Sequence, residues 1–142
     1  MLDVDDFKQV NDVLGHLYGD TFLRNVADAI RSQFRKGDIL GRFGGDEFIM
    51  FMPGIKDALL AKKRAQNVLT KIQAISVPEL ENIRCSIGIA IAESGGISAT
   101  ELFLQADNAL YYVKQTGKGN FAIFDEHIEM KPRVDMIETG RI

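Results

Sequence analysis

The sequence predicts an α+β fold in which helices pack on a mostly antiparallel sheet. Three observations carry that expectation. Apolar residues alternate between strand and helix spacing along the chain. Two short apolar runs flank a Gly-Gly pair. The elements then follow in the order strand, helices, hairpin, helix, strand, helix, strand. With 142 residues, 46% hydrophobic and 26% charged, the chain is long enough for one domain with a sizeable core.

Each element has its own local signal. "MLDVD" opens apolar and stops at acids, as the end of a strand does. From Asp20, read as an N-cap, Phe22, Leu23, Val26, Ala27, Ile30 and Phe34 recur at helical spacing. "DILGRF" and "EFIMFM" read as strands joined through Gly44 and Gly45, with Pro53-Gly54 ending the second. Ala58, Ala61, Ala65, Val68, Leu69 and Ile72 mark an amphipathic helix, followed by "IRCSIGIAIAE", a long strand rich in β-branched residues. Ser98 and Glu101 form a capping-box pair ahead of Leu102, Phe103, Ala106, Ala109, Leu110 and Val113, a helix ending near Gly117. "NFAIF" is the last strand. Beyond it the periodicity fades, so residues 1–126 are read as the domain and 127–142 as a tail or linker.

Composition narrows the function. A net charge of −3 and a pI near 5.4 give no broad electrostatic footprint for nucleic acid or anionic lipid, so a polyanionic ligand must be held by local features. The single cysteine, Cys85, sits in an apolar run and reads as a small core side chain. No apolar run approaches the roughly 18 residues that a membrane span needs, and no signal-peptide pattern is present. The expected compartment is the cytoplasm.

Acids gather where the topology should bring them together. Asp3 lies at the end of the first strand, and Asp46 and Glu47 follow the two glycines of the hairpin. A sheet that places this strand end beside the hairpin turn converges the three carboxylates. Hard divalent cations favour such a place, because Mg²⁺ binds through one or two carboxylates plus substrate phosphates. Gly44 and Gly45 let a bulky ligand approach the backbone, although glycine and acid are also ordinary turn residues. In "FKQVNDVLGHLYGD", Asn11 and Asp20 offer the donor and acceptor set that a guanine edge requires, and His16 suits either a turn or a pocket. Lys114 and Lys118 stand at a helix end, where they either reach a triphosphate or oppose the helix dipole.

"DVDDFKQVNDVLGHLYGD", "RFGGDEF", "SIGIA" and "ALYYVKQTGKGN", in this order, resemble the GGDEF family of diguanylate cyclases from Met1 to about Phe124. The resemblance implies a sheet like the palm of nucleotide cyclases and polymerases. It implies condensation of two GTP into cyclic di-GMP and two pyrophosphates, across an antiparallel homodimer whose half-sites face each other. It also implies Mg²⁺ or Mn²⁺ held by Asp3, the Val4 carbonyl and Asp46, with Glu47 as a further ligand or support. Asp46 takes the proton-acceptor position. Lys8 contacts phosphate, Asn11 and Asp20 read guanine beside His16, and Lys114 and Lys118 contact the triphosphate. Arg35 and Asp38, in "RKGD", match an RxxD site where cyclic di-GMP binds as inhibitory product; Arg64 and the position of Asn67 are the nearest candidates for its further arginine. The competing reading is a non-catalytic module that binds GTP or cyclic di-GMP and regulates an attached domain, such as an EAL phosphodiesterase. Family members normally carry a helix and most of a strand ahead of the first acidic motif. The expectation is therefore a shortened domain with sheet edges left open beside Met1.

Overall fold

The computed structural model describes residues 1–55, 57–81, 83–92, 96–125 and 127–128. Its elements are β1 (Leu2–Val4), α1 (Phe7–Leu14), α2 (His16–Arg31), β2 (Ile39–Gly44), β3 (Glu47–Phe51), α3 (Ala58–Gln73), β4 (Cys85–Ile89), α4 (Ala99–Gln115) and β5 (Phe121–Ile123). The tail predicted beyond the last strand lies, from residue 129 on, outside the described residues.

The five strands form one sheet in the order β2-β3-β1-β4-β5. β1 is short but central, antiparallel to both neighbours, with Asp3 opposite Glu47 on one side and Ser86 on the other. β5 is the parallel exception, beside β4. Alternation along β1 decides what each face carries. Leu2 and Val4 enter the main core with Val10, Phe22, Val26, Ile30, Val68 and Ile72, all essentially inaccessible to solvent. Met1 packs with Ala106 and Leu110 of α4 on the other side. Asp3 shares that second face and is carried into the sheet by the strand.

Two local expectations are corrected, and the helices expected ahead of the hairpin are seen to be two. Phe7, Val10 and Leu14 form the apolar stripe of a separate helix, α1, hidden in the sequence by the polar residues between them. Asp20 is not an N-cap: α2 already begins at His16, because Gly15, at φ +82°, supplies the break. The long strand predicted through Glu93 is the five-residue β4, and Ile91 and Ala92 lie outside it. The Ser98 cap is found as expected, accepting the Glu101 amide at 3.1 Å.

Glycine sets the closest contact between α4 and the sheet. A Cβ at Gly88 would collide with the Ala106 carbonyl and the Leu110 backbone. Beside the Met1 end of β1, a cavity of about 380 Å³ lies between β3 and β4, bounded by Ile49, Ile89, Val68 of α3 and Phe103 of α4. The ladder itself reaches Met1, whose nitrogen donates to the Gly88 carbonyl at 2.7 Å.

Candidate active site

The acidic site forms where the central strand ends beside the hairpin turn. Val4 donates its amide to the Asp46 carbonyl at 3.2 Å, which fixes the turn against β1. A bulge between Arg42 and Gly44 ends the regular ladder, and Gly45 takes a left-handed φ of +49°. Arg42 closes the turn from the other side, its Nε donating to the Gly45 carbonyl at 2.7 Å. The bulged segment sets Phe43 against Phe103 of α4, with ring centroids 5.3 Å apart. Lys114 lies eleven positions after Phe103, about three helical turns, and so shares its side of α4.

The Lys114 ammonium reaches back to Asp3, with Nζ 2.7 Å from Oδ2. Burial pushes the Asp3 carboxyl up to about 6; the hydrogen bond and charge of Lys114 pull it down, and the Asp46 and Glu47 carboxylates push it further up. Asp46 is also raised, first by burial. Lys114 and Arg42 oppose that shift, while Glu47 adds to it. These mutual effects place the three predicted acids in one electrostatic neighbourhood. Among the described residues, no three His, Cys, Asp or Glu side chains are grouped closely enough to enclose a metal ion. The donor chemistry nevertheless fits a hard divalent cation: carboxylate oxygens at a crowded strand end already hold one cation, the ammonium of Lys114.

A second set of contacts holds the far end of α4 to this strand end. Asp5 is buried and accepts from the Ser86 hydroxyl at 2.8 Å and from the Gly119 amide at 3.0 Å. Lys118, in a left-handed conformation, pairs with Asp6 at 2.8 Å. Of the two predicted phosphate-binding lysines, one therefore rests on the candidate metal ligand and the other two residues past the strand. Asp5 was legible only as one more acid of "DVDDF"; its role depends on Ser86 and Gly119. Arg42 was missed, and its position just before the Gly-Gly pair was the available signal.

The α1–α2 hairpin places the remaining candidates. Gly19 packs against the side chain of Asn11 and the ring of Phe7, so Asn11 lies one residue across from Asp20. Asp20 stands at a cleft of about 450 Å³ between α2 and the hairpin, lined also by Leu23, Arg24, Leu40, Arg42 and Phe48. That volume is in the range of small-molecule pockets. Asn11 is not part of its lining. Lys8 and His16 are exposed on α1 and at the start of α2. Arg35 and Asp38 lie apart from this cluster and pair with each other. Arg35 donates its amide and its Nε to the Asp38 carboxylate, both at 3.0 Å, and a further guanidinium nitrogen to the Pro53 carbonyl at 2.6 Å. Arg64 donates to the Gln33 carbonyl.

Residues 1–120 match the family model described as diguanylate cyclase, GGDEF domain. The chain belongs to the GGDEF family. Among curated GGDEF relatives, it is 38% identical over 136 residues to the cyclic di-GMP phosphodiesterase PdeR of Escherichia coli, covering 94% of this chain and 20% of that protein. It is 38% identical over 127 residues to the bifunctional diguanylate cyclase/cyclic di-GMP phosphodiesterase MucR of Pseudomonas aeruginosa, covering 87% of this chain and 18% of that one. The chain thus spans about a fifth of the length of these relatives. In structure it is similar to the GGDEF domain of DgcB from Caulobacter crescentus in complex with cyclic di-GMP, with a TM-score of 0.79, 29% identity, and 86% of this chain and 74% of that one covered. No helix of the described residues is long and apolar enough to cross a membrane.

Proposed function

We propose that this GGDEF domain is a diguanylate cyclase half-site, joining two GTP into cyclic di-GMP with release of two pyrophosphates. The convergence of Asp3, Asp46 and Glu47 at the end of β1 carries this reading. Two copies face each other as a homodimer. In each half-reaction, a ribose 3′-oxygen forms a bond to the α-phosphorus of the opposing GTP. The bond from that phosphorus to the β-bridging oxygen breaks, and pyrophosphate leaves with the electron pair. Asp3, the Val4 carbonyl and Asp46 would hold Mg²⁺ or Mn²⁺, with Glu47 supporting them. When bound, such an ion neutralises phosphate charge and acidifies the attacking hydroxyl.

The chain's own residues do the rest. Asp46 receives the hydroxyl proton, aided by a carboxyl that burial keeps more basic than usual. Gly44 and Gly45 admit the phosphates close to the backbone. Lys8, Lys114 and Lys118 offset phosphate charge, and guanine is selected by Asp20, at the cleft beside Phe48, together with Asn11 and His16 from outside its lining. Arg35 and Asp38 bind cyclic di-GMP as a feedback ligand, by opening the pair they now make with each other.

A second reading has its own support, because the relatives of this chain include a phosphodiesterase and a bifunctional protein. In that reading the domain binds GTP or cyclic di-GMP and regulates an attached EAL domain without making product. Incubation with GTP and Mg²⁺, followed by chromatography for cyclic di-GMP, separates the two. The cyclase reading requires product from the wild type and none from folded Asp46→Ala protein.

A further inference from the structure

The Asp3 carboxylate is buried at the centre of the sheet, with Asp46 and Glu47 as negative neighbours, yet it already has a cationic partner. Lys114 projects from the last turn of α4, and its side chain is one-quarter exposed whereas that of Asp3 is nearly covered. Two cations cannot share one carboxylate oxygen at this distance without strong repulsion. A divalent ion coming to Asp3 must therefore meet a site already neutralised by Lys114. Lys118, four residues further on, is itself paired with Asp6.

We infer that Lys114 is a placeholder cation: its ammonium balances Asp3 in the ligand-free protein and moves from that carboxylate to the phosphates of an incoming nucleotide when a divalent ion binds Asp3. The exchange rests on the cyclase-type site proposed above and adds an order to it. A divalent ion alone displaces Lys114 into water beside a new positive charge, and so binds weakly. A divalent ion arriving with a polyphosphate gives the displaced ammonium a new anionic partner, and so binds tightly. Each ligand strengthens the other by the same factor, because binding free energies are reciprocal. The four-carbon stem of lysine allows the movement without any change in α4.

The test reads metal binding and not turnover. Mn²⁺ binding is followed by electron paramagnetic resonance at pH 8. The proteins are wild type, Lys114→Met, Lys114→Gln and the double variant Asp3→Asn/Lys114→Met, each shown to be folded by its melting curve. Without nucleotide, both single Lys114 variants should bind Mn²⁺ about tenfold more tightly than wild type, and the double variant should lose that gain. With α,β-methylene GTP, which cannot release pyrophosphate, the enhancement of Mn²⁺ affinity should be large in wild type and reduced in the Lys114 variants. Unchanged or weaker Mn²⁺ affinity in both Lys114 variants overturns the inference, as does a gain that persists without the Asp3 carboxylate. Failure of the cyclase reading is seen separately: wild type that makes no cyclic di-GMP from GTP, yet shows the Mn²⁺ gain, leaves the exchange standing.

Discussion

The Nζ of Lys114, at the end of α4, lies 2.7 Å from Oδ2 of Asp3 in the central strand of the sheet. This contact joins two of the most separated motifs of the chain and opposes the effect of burial on Asp3. Burial raises Asp3 from 3.8 to about 6, against the pull of Lys114. Between those values the native state holds a proton that the unfolded chain has already lost. The contribution of this group to stability is therefore fully present below pH 3.8 and falls as pH rises towards 6. In metal-free buffer, the melting temperature of wild type relative to Asp3→Asn should drop as pH climbs through this window. Calorimetric scans at several pH values check it; a difference that grows with pH contradicts the assignment.

Base selectivity should reside at the cleft beside α2. Asp20 reaches that cleft directly, while Asn11 lies behind Gly19. A site built to hydrogen-bond particular base groups rejects analogues lacking them. Asp20→Ala is expected to narrow the preference for GTP over ATP by about tenfold. Competition against labelled GTP measures it, and equal displacement by ATP and GTP in the wild type would remove guanine reading from these residues.

At the RxxD stretch, Arg35→Ala removes the side-chain donors to Asp38 and Pro53 but keeps the amide that serves Asp38 Oδ2. The turn should survive with a small loss of stability. Binding of cyclic di-GMP should weaken by about tenfold or more, since charge-assisted contacts are worth roughly 1.5 to 3 kcal/mol each. Titration calorimetry decides this. Equal affinities would leave the pair as a clasp on the α2–β2 connection alone.

Gly88 provides a structural prediction with a functional consequence. Its missing side chain lets the α4 backbone rest on β4, and the atoms that a Cβ would strike cannot rotate away. Gly88→Ala should cost about 1 to 3 kcal/mol in urea unfolding. It should also lift Lys114 from Asp3, so Asp3 should titrate at higher pH than in wild type, as observed by carbon NMR. Wild-type stability in the variant would mean that α4 is not anchored at Gly88.

Much of the fold was legible because strand and helix periods depend only on near neighbours. The hairpin, α3, the Ser98 cap and the order of elements all follow from spacing and turn residues. The α1–α2 boundary was misread because Asp20 precedes an apolar run and mimics a cap, whereas the break comes four residues after Asn11 at Gly15. The length of β4 was overestimated because the apolar run in residues 90–92 reads as strand whether or not a neighbouring strand pairs with it.

The sequence alone determined that acids would collect where a strand end meets a Gly-Gly turn, since both lie at element ends whose type is set locally. Only the tertiary structure decided their partners. Lys114 meets Asp3 because α4 settles on β4 at Gly88, Asp5 meets Ser86 and Gly119 because β1 lies beside β4, and Arg35 reaches the Pro53 carbonyl. No spacing along the chain encodes such pairings. A charged side chain's partner depends on which face of the sheet a distant helix covers, and that is settled by the packing of the whole core.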